Sequence, residues 1–506
     1  MDSGSSPGGL PRARVALWAL GAGWIAVAGC SHVTVIEILA TGPFGGGGTA
    51  TTSTTGGSAA SGGFGASGGT DGGGGLGAMG GTAGTGGTAG SGGVGPTCSN
   101  GVQDGTETDI DCGGDTCPPC ALCQACEWSN DCQSGPCDPA HHVCTAPWTG
   151  VAAGDTHTCG RRGDGSLWCW GGNSNGQLGI GAPSPHELSP VRVTALGGSV
   201  AEVSLGQYHS CARRTEGSLW CWGKNDHGQL GDGTTGDKPS PVQVLALGSS
   251  VAQVALGGAH GCARKTDGSL WCWGENADGE LGNGTATPFE SSPVPVAALG
   301  TSVAQVAVGR FHTCALTTNG SLWCWGNSLH GQLGDETIDA KSSPVQIVAL
   351  GASVAQVALG QYHSCARKTD GSLWCWGSDE YGQLGVTGYG DHSSPVQVAT
   401  LDTGAADVSL GGQHTCARRT NGSLWCWGGN LFGQLGNGPG EGDELPTLVT
   451  ALSPFIADVS LGGSHTCARK ETGSLYCWGY DHYGQVGDGD DGTKSLPVLV
   501  PMPACP

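Results

Sequence analysis

The sequence predicts an all-β chain whose main body is a seven-bladed β-propeller, and three observations carry that expectation. One stretch, seen at residues 209–231 as HSCARRTEGSLWCWGKNDHGQLG, recurs seven times. Its leading histidines, His157, His209, His260, His312, His363, His414 and His465, stand 51 or 52 residues apart, and a period of about 50 residues marks a propeller or solenoid. Each period reads as four short strands, with Gly, Pro and Asp breaking the chain every few residues and no sustained helical period after the N-terminus. Four strands make one propeller blade.

The elements of one repeat follow in order. In the second copy an apolar run at 200–205 is the first strand, and the arms around Cys211 and Cys221 are the second and third. Between them a polar run ends in Gly217, which predicts a hairpin with a three-residue loop and the glycine in the left-handed region. With the loop centred on Glu216, Ala212 faces Trp220 and Cys211 faces Cys221. Counting outward places the two cysteines at a non-hydrogen-bonded pair, where Cα atoms lie roughly 4.5 Å apart, within disulfide reach. The fourth strand is Pro-Val-Gln-Val at 241–244.

The same spacing pairs Cys159 with Cys169, Cys262 with Cys272, Cys314 with Cys324, Cys365 with Cys375, Cys416 with Cys426 and Cys467 with Cys477. A hairpin supplies only two thiolates where a structural zinc site takes four ligands, so disulfides are expected and no metal. Twenty-five cysteines in all point to an oxidising compartment.

Ahead of the repeats the chain changes character three times. Residues 1–29 read as a signal peptide: Arg12 and Arg14 precede an apolar run at 15–28 that is short for a bilayer span. The run ends Val27-Ala28-Gly29-Cys30, which resembles a bacterial lipobox and implies lipidation at Cys30; the competing reading is ordinary cleavage with Cys30 incidental. Lipidation anchors through acyl chains without a transmembrane helix.

Residues 30–97 are expected to be a disordered tether: those from 41 to 97 are almost wholly Gly, Ser, Thr and Ala, bury too little apolar surface to fold and reach roughly 40 Å. Residues 98–145 hold nine cysteines and read as a disulfide-rich module. Its Cys117, Cys120, Cys123 and Cys126 could serve as zinc or iron–sulfur ligands, but an exported chain favours disulfides. The carboxylates Asp104, Glu107, Asp109 and Asp111 do not fit the D-x-D-x-D-G calcium loop and read as a solvated turn. The propeller occupies 146–506.

Within the repeats the sequence shows no catalytic constellation: no G-x-S-x-G elbow and no H-E-x-x-H. One histidine per blade spreads over a ring instead of converging as a ligand set, so each is expected to bond to backbone beside the glycine-rich turn. The blade tryptophans, such as Trp168 and Trp170, face away from the cysteines and are expected between blades, with sugar-binding platforms as the alternative. Six copies carry a basic pair near the hairpin tip, for example Arg213-Arg214, read as solvated strand ends in preference to an anion-binding ring. A net charge of −22 argues against a nucleic-acid partner.

The pattern G-x-x-H-(S/T)-C-A, then G-S-L-W-C-W-G-x-N-x-x-G-Q-L-G, is similar to the regulator of chromosome condensation repeat over residues 148–500, a family of seven-bladed propellers. Departures are mild: Glu280 stands for Gln, Val486 for Leu, Tyr476 for Trp, and the fourth copy has Leu316-Thr317 in place of the basic pair. The resemblance implies guanine-nucleotide exchange on a nuclear GTPase and docking to chromatin. An oxidising extracytoplasmic address would remove the GTPase and the nucleotide.

The expected function is therefore that of a non-enzymatic surface or periplasmic lipoprotein of the bacterial envelope or a secreted protein. It is expected to be monomeric, without a cofactor, touching the membrane only through its anchor and binding a protein or envelope component. Exchange-factor activity and a glycan-binding or glycan-active propeller are the alternatives. Specificity is expected in the loops 180–188, 283–290, 335–341, 386–392 and 437–444, clustered on one face, whose acids include Glu187, Glu290, Asp335, Glu336, Asp339, Glu441, Asp443 and Glu444. Those acids suit a basic or Ca²⁺-bridged partner, and surface solvation accounts for them equally well. Ring closure is expected by strand sharing, with 497–500 packing beside Val151 to complete the first blade and bringing Cys505 towards Cys144 for a disulfide.

Overall fold

The computed structural model of the protein describes residues 146–502. Cys30, the tether, the module at 98–145 and Cys505 lie outside the described residues, and with them the lipidation and the Cys144–Cys505 pairing. Twenty-eight strands form seven four-stranded antiparallel sheets, each built from four consecutive strands in chain order. In the second blade these are Val200–Leu205, His209–Arg214, Leu219–Gly223 and Lys238–Gln243. The first strand of each blade ends at the axis of the ring and the fourth forms the outer edge.

The hairpin between second and third strands forms as the sequence predicts. Cys211 pairs with Cys221 and Ala212 with Trp220. The three-residue loop 215–217 is closed by the Arg214 N–H donating to the Ser218 carbonyl at 3.0 Å, and Gly217 sits at φ 88°. A Cβ there would meet the Ser249 carbonyl at 2.4 Å, so the turn and the chain entering the next blade both require glycine. All seven expected disulfides are present, each with Cα atoms 4.1 Å apart.

The fourth strand begins earlier than the Pro-Val motif suggests, because it pairs at Lys238 with Gly223 and bulges over 239–241 before pairing again at Val242. Pro239 and Pro241 have no N–H to give a ladder, so the outer edge is irregular and protected against pairing with another chain.

The core lies between blades. On one side of each junction are the disulfide and the third-strand leucine, as in Cys211, Cys221 and Leu219; on the other are the next blade's Val251, Ala263 and Trp273, all buried. Alternation along the third strand explains this, since Trp222 and Cys221 must point to opposite faces of one sheet.

Closure by strand sharing is not observed. Lys494–Leu499 pairs with the third strand of the seventh blade, and Trp148–Ala153 completes the first blade by itself. Each repeat already owns four strands, so no edge is left to fill, and the ring closes face to face. At this seam Trp148 replaces the Val, Ala or Ile that opens the other first strands, and Gly160 replaces their second-strand alanine; a Cβ on Gly160 would strike the Trp148 ring at 2.5 Å. Trp148, Trp168 and Trp170 pack on Cys467, Cys477 and Val500, and the backbone N–H of Trp148 donates to the Gly473 carbonyl at 3.2 Å. The largest apolar side chain thus stands where no peptide link joins the blades.

Candidate binding face at the channel mouth

The antiparallel meander fixes which loops share a face. Loops joining first to second and third to fourth strands emerge on one side of the disc, and the hairpins with their basic residues on the other. The five variable loops all join third to fourth strands and so lie on the first side.

The seven histidines stand at the root of that face, fully buried. Six of them bond to a hydroxyl on the next blade: His157 to Ser210 at 2.8 Å, His260 to Thr313 at 3.0 Å, His312 to Ser364 at 2.8 Å, His363 to Thr415 at 2.9 Å, His414 to Thr466 at 2.8 Å, and His465 across the seam to Thr158 at 2.8 Å. The partner is thus a side chain of the neighbouring blade, where the sequence suggested local backbone.

Each hydroxyl donates its single hydrogen to the carbonyl of the Gly-Gln-Leu-Gly glutamine, or of Glu280, one blade back, as Ser210 does to Gln177 at 2.8 Å. It must therefore accept from the imidazole, which fixes the Nε2–H tautomer. The same carbonyl accepts the indole N–H of the buried tryptophan, Trp222 to Gln177 at 2.8 Å. Histidine, hydroxyl, carbonyl and indole form one latch per junction, and burial pulls each imidazole from 6.5 to about 3. The set cannot gather round a metal.

One latch is incomplete. At the position that carries Ser or Thr in the other six blades the third has Gly261, which has no hydroxyl, and neither ring nitrogen of His209 finds a partner among the described residues. A Cβ on Gly261 would meet only a Leu256 methyl, at 2.6 Å, and then the Trp273 ring edge at 3.1 Å; the equivalent Leu205 accommodates Ser210. Gly261→Ser should therefore stabilise the protein by about 1–2 kcal/mol through a satisfied imidazole and a stiffer strand. An unchanged or lower urea midpoint would refute the latch as a source of stability.

The outer tryptophans and the basic pairs serve each other. Lys265 lies 4.9 Å from the Trp271 ring centroid, Lys368 4.6 Å from Trp374 and Arg162 5.6 Å from Trp168. The first member of each pair points to the other face; Arg213 meets Glu202 at 3.0 Å and Arg469 meets Asp458 at 3.2 Å. Neither an anion ring nor a row of open sugar platforms results.

The axis holds a cavity of about 160 Å³ lined by equivalent residues of all seven blades. The sequence reasoning missed its key feature. The first unspecified position of G-x-x-H lines this cavity in every blade, and Arg310 of the fourth blade reaches across to Asp155 of the first at 3.3 Å. Burial raises the Asp155 carboxyl above its ordinary range, and Arg310 opposes the shift.

Aromatic residues occupy the second unspecified position in the fourth and fifth blades. Phe311 stacks on Tyr362 with centroids 5.4 Å apart, Arg310 lies over Phe311, and His330 leans on Tyr362 at 4.8 Å while bonding Asp391 at 2.8 Å. A second cluster joins Phe432 to Tyr480 at 4.8 Å, with His482 and Tyr483 beside it. Exposed Leu329 and Leu431 flank the two groups. The available signal was variability inside a constant motif, which marks positions that packing does not dictate.

Comparison with known proteins agrees with this geometry. The model of the RCC1-like domain matches residues 235–505, and models of the Regulator of chromosome condensation (RCC1) repeat match 164–213, 148–177 and 200–229. The chain is 35% identical over 326 residues to the Ultraviolet-B receptor UVR8 of Arabidopsis thaliana, covering 63% of this chain and 73% of that one. To the human E3 ubiquitin-protein ligase HERC2 it is 30% identical over 361 residues, 68% of this chain but 7% of that protein. The solved structure of yeast RCC1 (Prp20) bound to Kap60 superposes with a TM-score of 0.61 at 24% identity, covering 67% of this chain and 84% of that one.

Proposed function

The chain belongs to the RCC1-like domain family, and from that premise we propose that it is a non-enzymatic binding protein of an extracytoplasmic space, taking a macromolecular partner on the channel-mouth face. The observation that carries this is where the repeats differ. Blades alike down to their buried bonds can hold specificity only at positions the packing leaves free. Those positions gather Arg310, Phe311, Tyr362 and His330 on one sector and Phe432, Tyr480 and Tyr483 on another. Half-buried aromatic and arginine side chains beside exposed leucines match the anchors of protein interfaces.

Relatives support the class of function. Yeast Prp20 has been solved with Kap60, and its binding to Gsp1p and histones has been described. Seven buried disulfides support an oxidising address, where a nuclear GTPase would be absent. The signal-like segment and Cys30 would supply export and an envelope anchor.

The test is capture from envelope fractions by the full chain, compared with a Phe311→Ala/Tyr362→Ala variant and with a chain carrying the second blade's loop at the five variable positions. Loss of two anchors should weaken binding at least about 30-fold with an unchanged melting midpoint. Capture that survives both variants would move the site off this face. Stimulated GDP release from a small GTPase would establish the exchange-factor alternative, and retention on glycan resin lost in the same variants would establish the glycan one.

A further inference from the structure

A loop on the seventh blade carries a second inference. In the second blade Asn225 closes the third-to-fourth-strand loop: its Oδ1 accepts from the Leu230 N–H at 3.0 Å, and its Nδ2 donates into a cage of oxygens. These are the Asp232 carboxylate at 3.3 Å, the Thr234 carbonyl and hydroxyl at 3.0 and 3.2 Å, and the Gly236 carbonyl at 3.2 Å. Asn173, Asn276 and Asn430 do the same in their blades.

The seventh blade has Asp481 at this position. Its Oδ1 still accepts, from the Val486 N–H at 2.8 Å, but a carboxylate oxygen now occupies the place of the amide nitrogen. Asp481 is fully buried, and Oδ2 finds no donor among the described residues. The cage has gained charge as well: Asp488 corresponds to Asp232, and Asp490 replaces Thr234. Ligand oxygens of Asp481, Asp488 and Asp490 lie within 4.8 Å of one another.

Lys494 reaches Asp488 at 3.2 Å and also bonds Asp490, but not Asp481. Its counterpart Lys238 meets Asp232 in the second blade although Asn225 fills that cage, so the lysine belongs to the loop in either case. Three carboxylates and one ammonium leave two negative charges.

We propose that the seventh-blade loop is a calcium site held by Asp481, Asp488 and Asp490, the cation taking the place that an asparagine NH₂ group takes in the first, second, third and sixth blades. Oxygen-only ligands from an irregular loop suit a hard cation, and calcium tolerates such geometry better than magnesium. Burial, with Asp488 and Asp490 beside it, pushes the Asp481 carboxyl up to about 7, against the Val486 N–H and Lys494. The fifth blade carries the same exchange at Asp379, but its loop does not gather three carboxylates, so the assignment is confined to the seventh.

The experiment is calorimetric titration of the EDTA-treated full chain with calcium chloride at pH 7.5, paired with thermal melts. One site with a dissociation constant of about 10⁻⁴–10⁻³ M is expected, in the class of extracellular modules, and calcium should raise the melting midpoint. Asp481→Asn installs the residue that four other blades carry and so should fold; its affinity for calcium should fall at least about tenfold and its melting should no longer respond. Lys494→Gln, which removes the competing cation, should tighten binding. Unchanged calcium binding in Asp481→Asn, no response of the native chain at about 5 mM calcium, or an equal response to magnesium would each overturn the assignment.

Discussion

Reduction of the seven hairpin disulfides should unfold the propeller at room temperature. Each bridge closes a loop of ten residues, which in the chain-entropy model contributes about 3 kcal/mol. The loops do not overlap in sequence, so the contributions approach additivity and reach about 20 kcal/mol. That exceeds the 5–15 kcal/mol, roughly, by which ordinary domains are stable. Every one of the fourteen sulfurs is buried, so a reductant should act slowly on the native protein and fast once urea opens it. The check is a chain unfolded, reduced, alkylated and returned to buffer, followed by far-ultraviolet circular dichroism and melting. Recovery of the native melting midpoint would sink the expectation. Replacing one pair, Cys211→Ala/Cys221→Ala, should cost about 3 kcal/mol by the same loop-closure term.

Acid should be almost as destructive, and the sign follows from the latches. Seven buried imidazoles are pulled from 6.5 to about 3, chiefly by burial. Below pH 6.5 the unfolded chain therefore binds protons that the folded chain refuses, and stability complete above that pH is lost as it falls towards 3. Buried carboxylates oppose the loss. Glu280 and Asp481 are raised to about 7 and Asp379 to about 6, so between those values and the ordinary carboxylate range the folded state holds the extra proton. Three of the seven imidazoles are offset in this way, and the raised carboxyls of Asp155, Glu202 and Asp458 act in the same sense.

The net of about four protons gives a slope of at most about 5 kcal/mol per pH unit near pH 5.5. Below about pH 4 the unfolded carboxylates also protonate and the slope steepens. Urea midpoints at pH 7, 6 and 5, with calcium chelated, test this; equal midpoints would refute it. His209→Gln, at the latch without a hydroxyl, should flatten the slope by about 1.4 kcal/mol per pH unit.

Much of the blade was legible because its contacts are local. A glycine-ended run and two cysteines ten residues apart determine the Cys211–Cys221 register, since one three-residue turn leaves a single way for the arms to meet. Alternation then sends Trp222 to the opposite face from Cys221. The same local reading failed at the ring seam, where counting Pro-Val motifs suggested a shared strand although every repeat already held four.

The candidate face was half legible. Loops 180–188 and 335–341 stood out by their irregular composition. Arg310, Phe311 and Tyr362 sat unnoticed inside a motif read for its constant residues.

The sequence by itself determined the repeat, the hairpin register and the disulfide pairs, because each is fixed by residues a few positions apart. Only the tertiary structure decided which hydroxyl receives His157, that Arg310 meets Asp155, that Trp148 closes the ring and that the Asp481 oxygen faces other oxygens. The first three join blades, with His157 and Ser210 53 residues apart and Arg310 and Asp155 155 apart. No periodicity along the chain encodes such distances, and the partner of a buried polar atom is set by how two sheets pack.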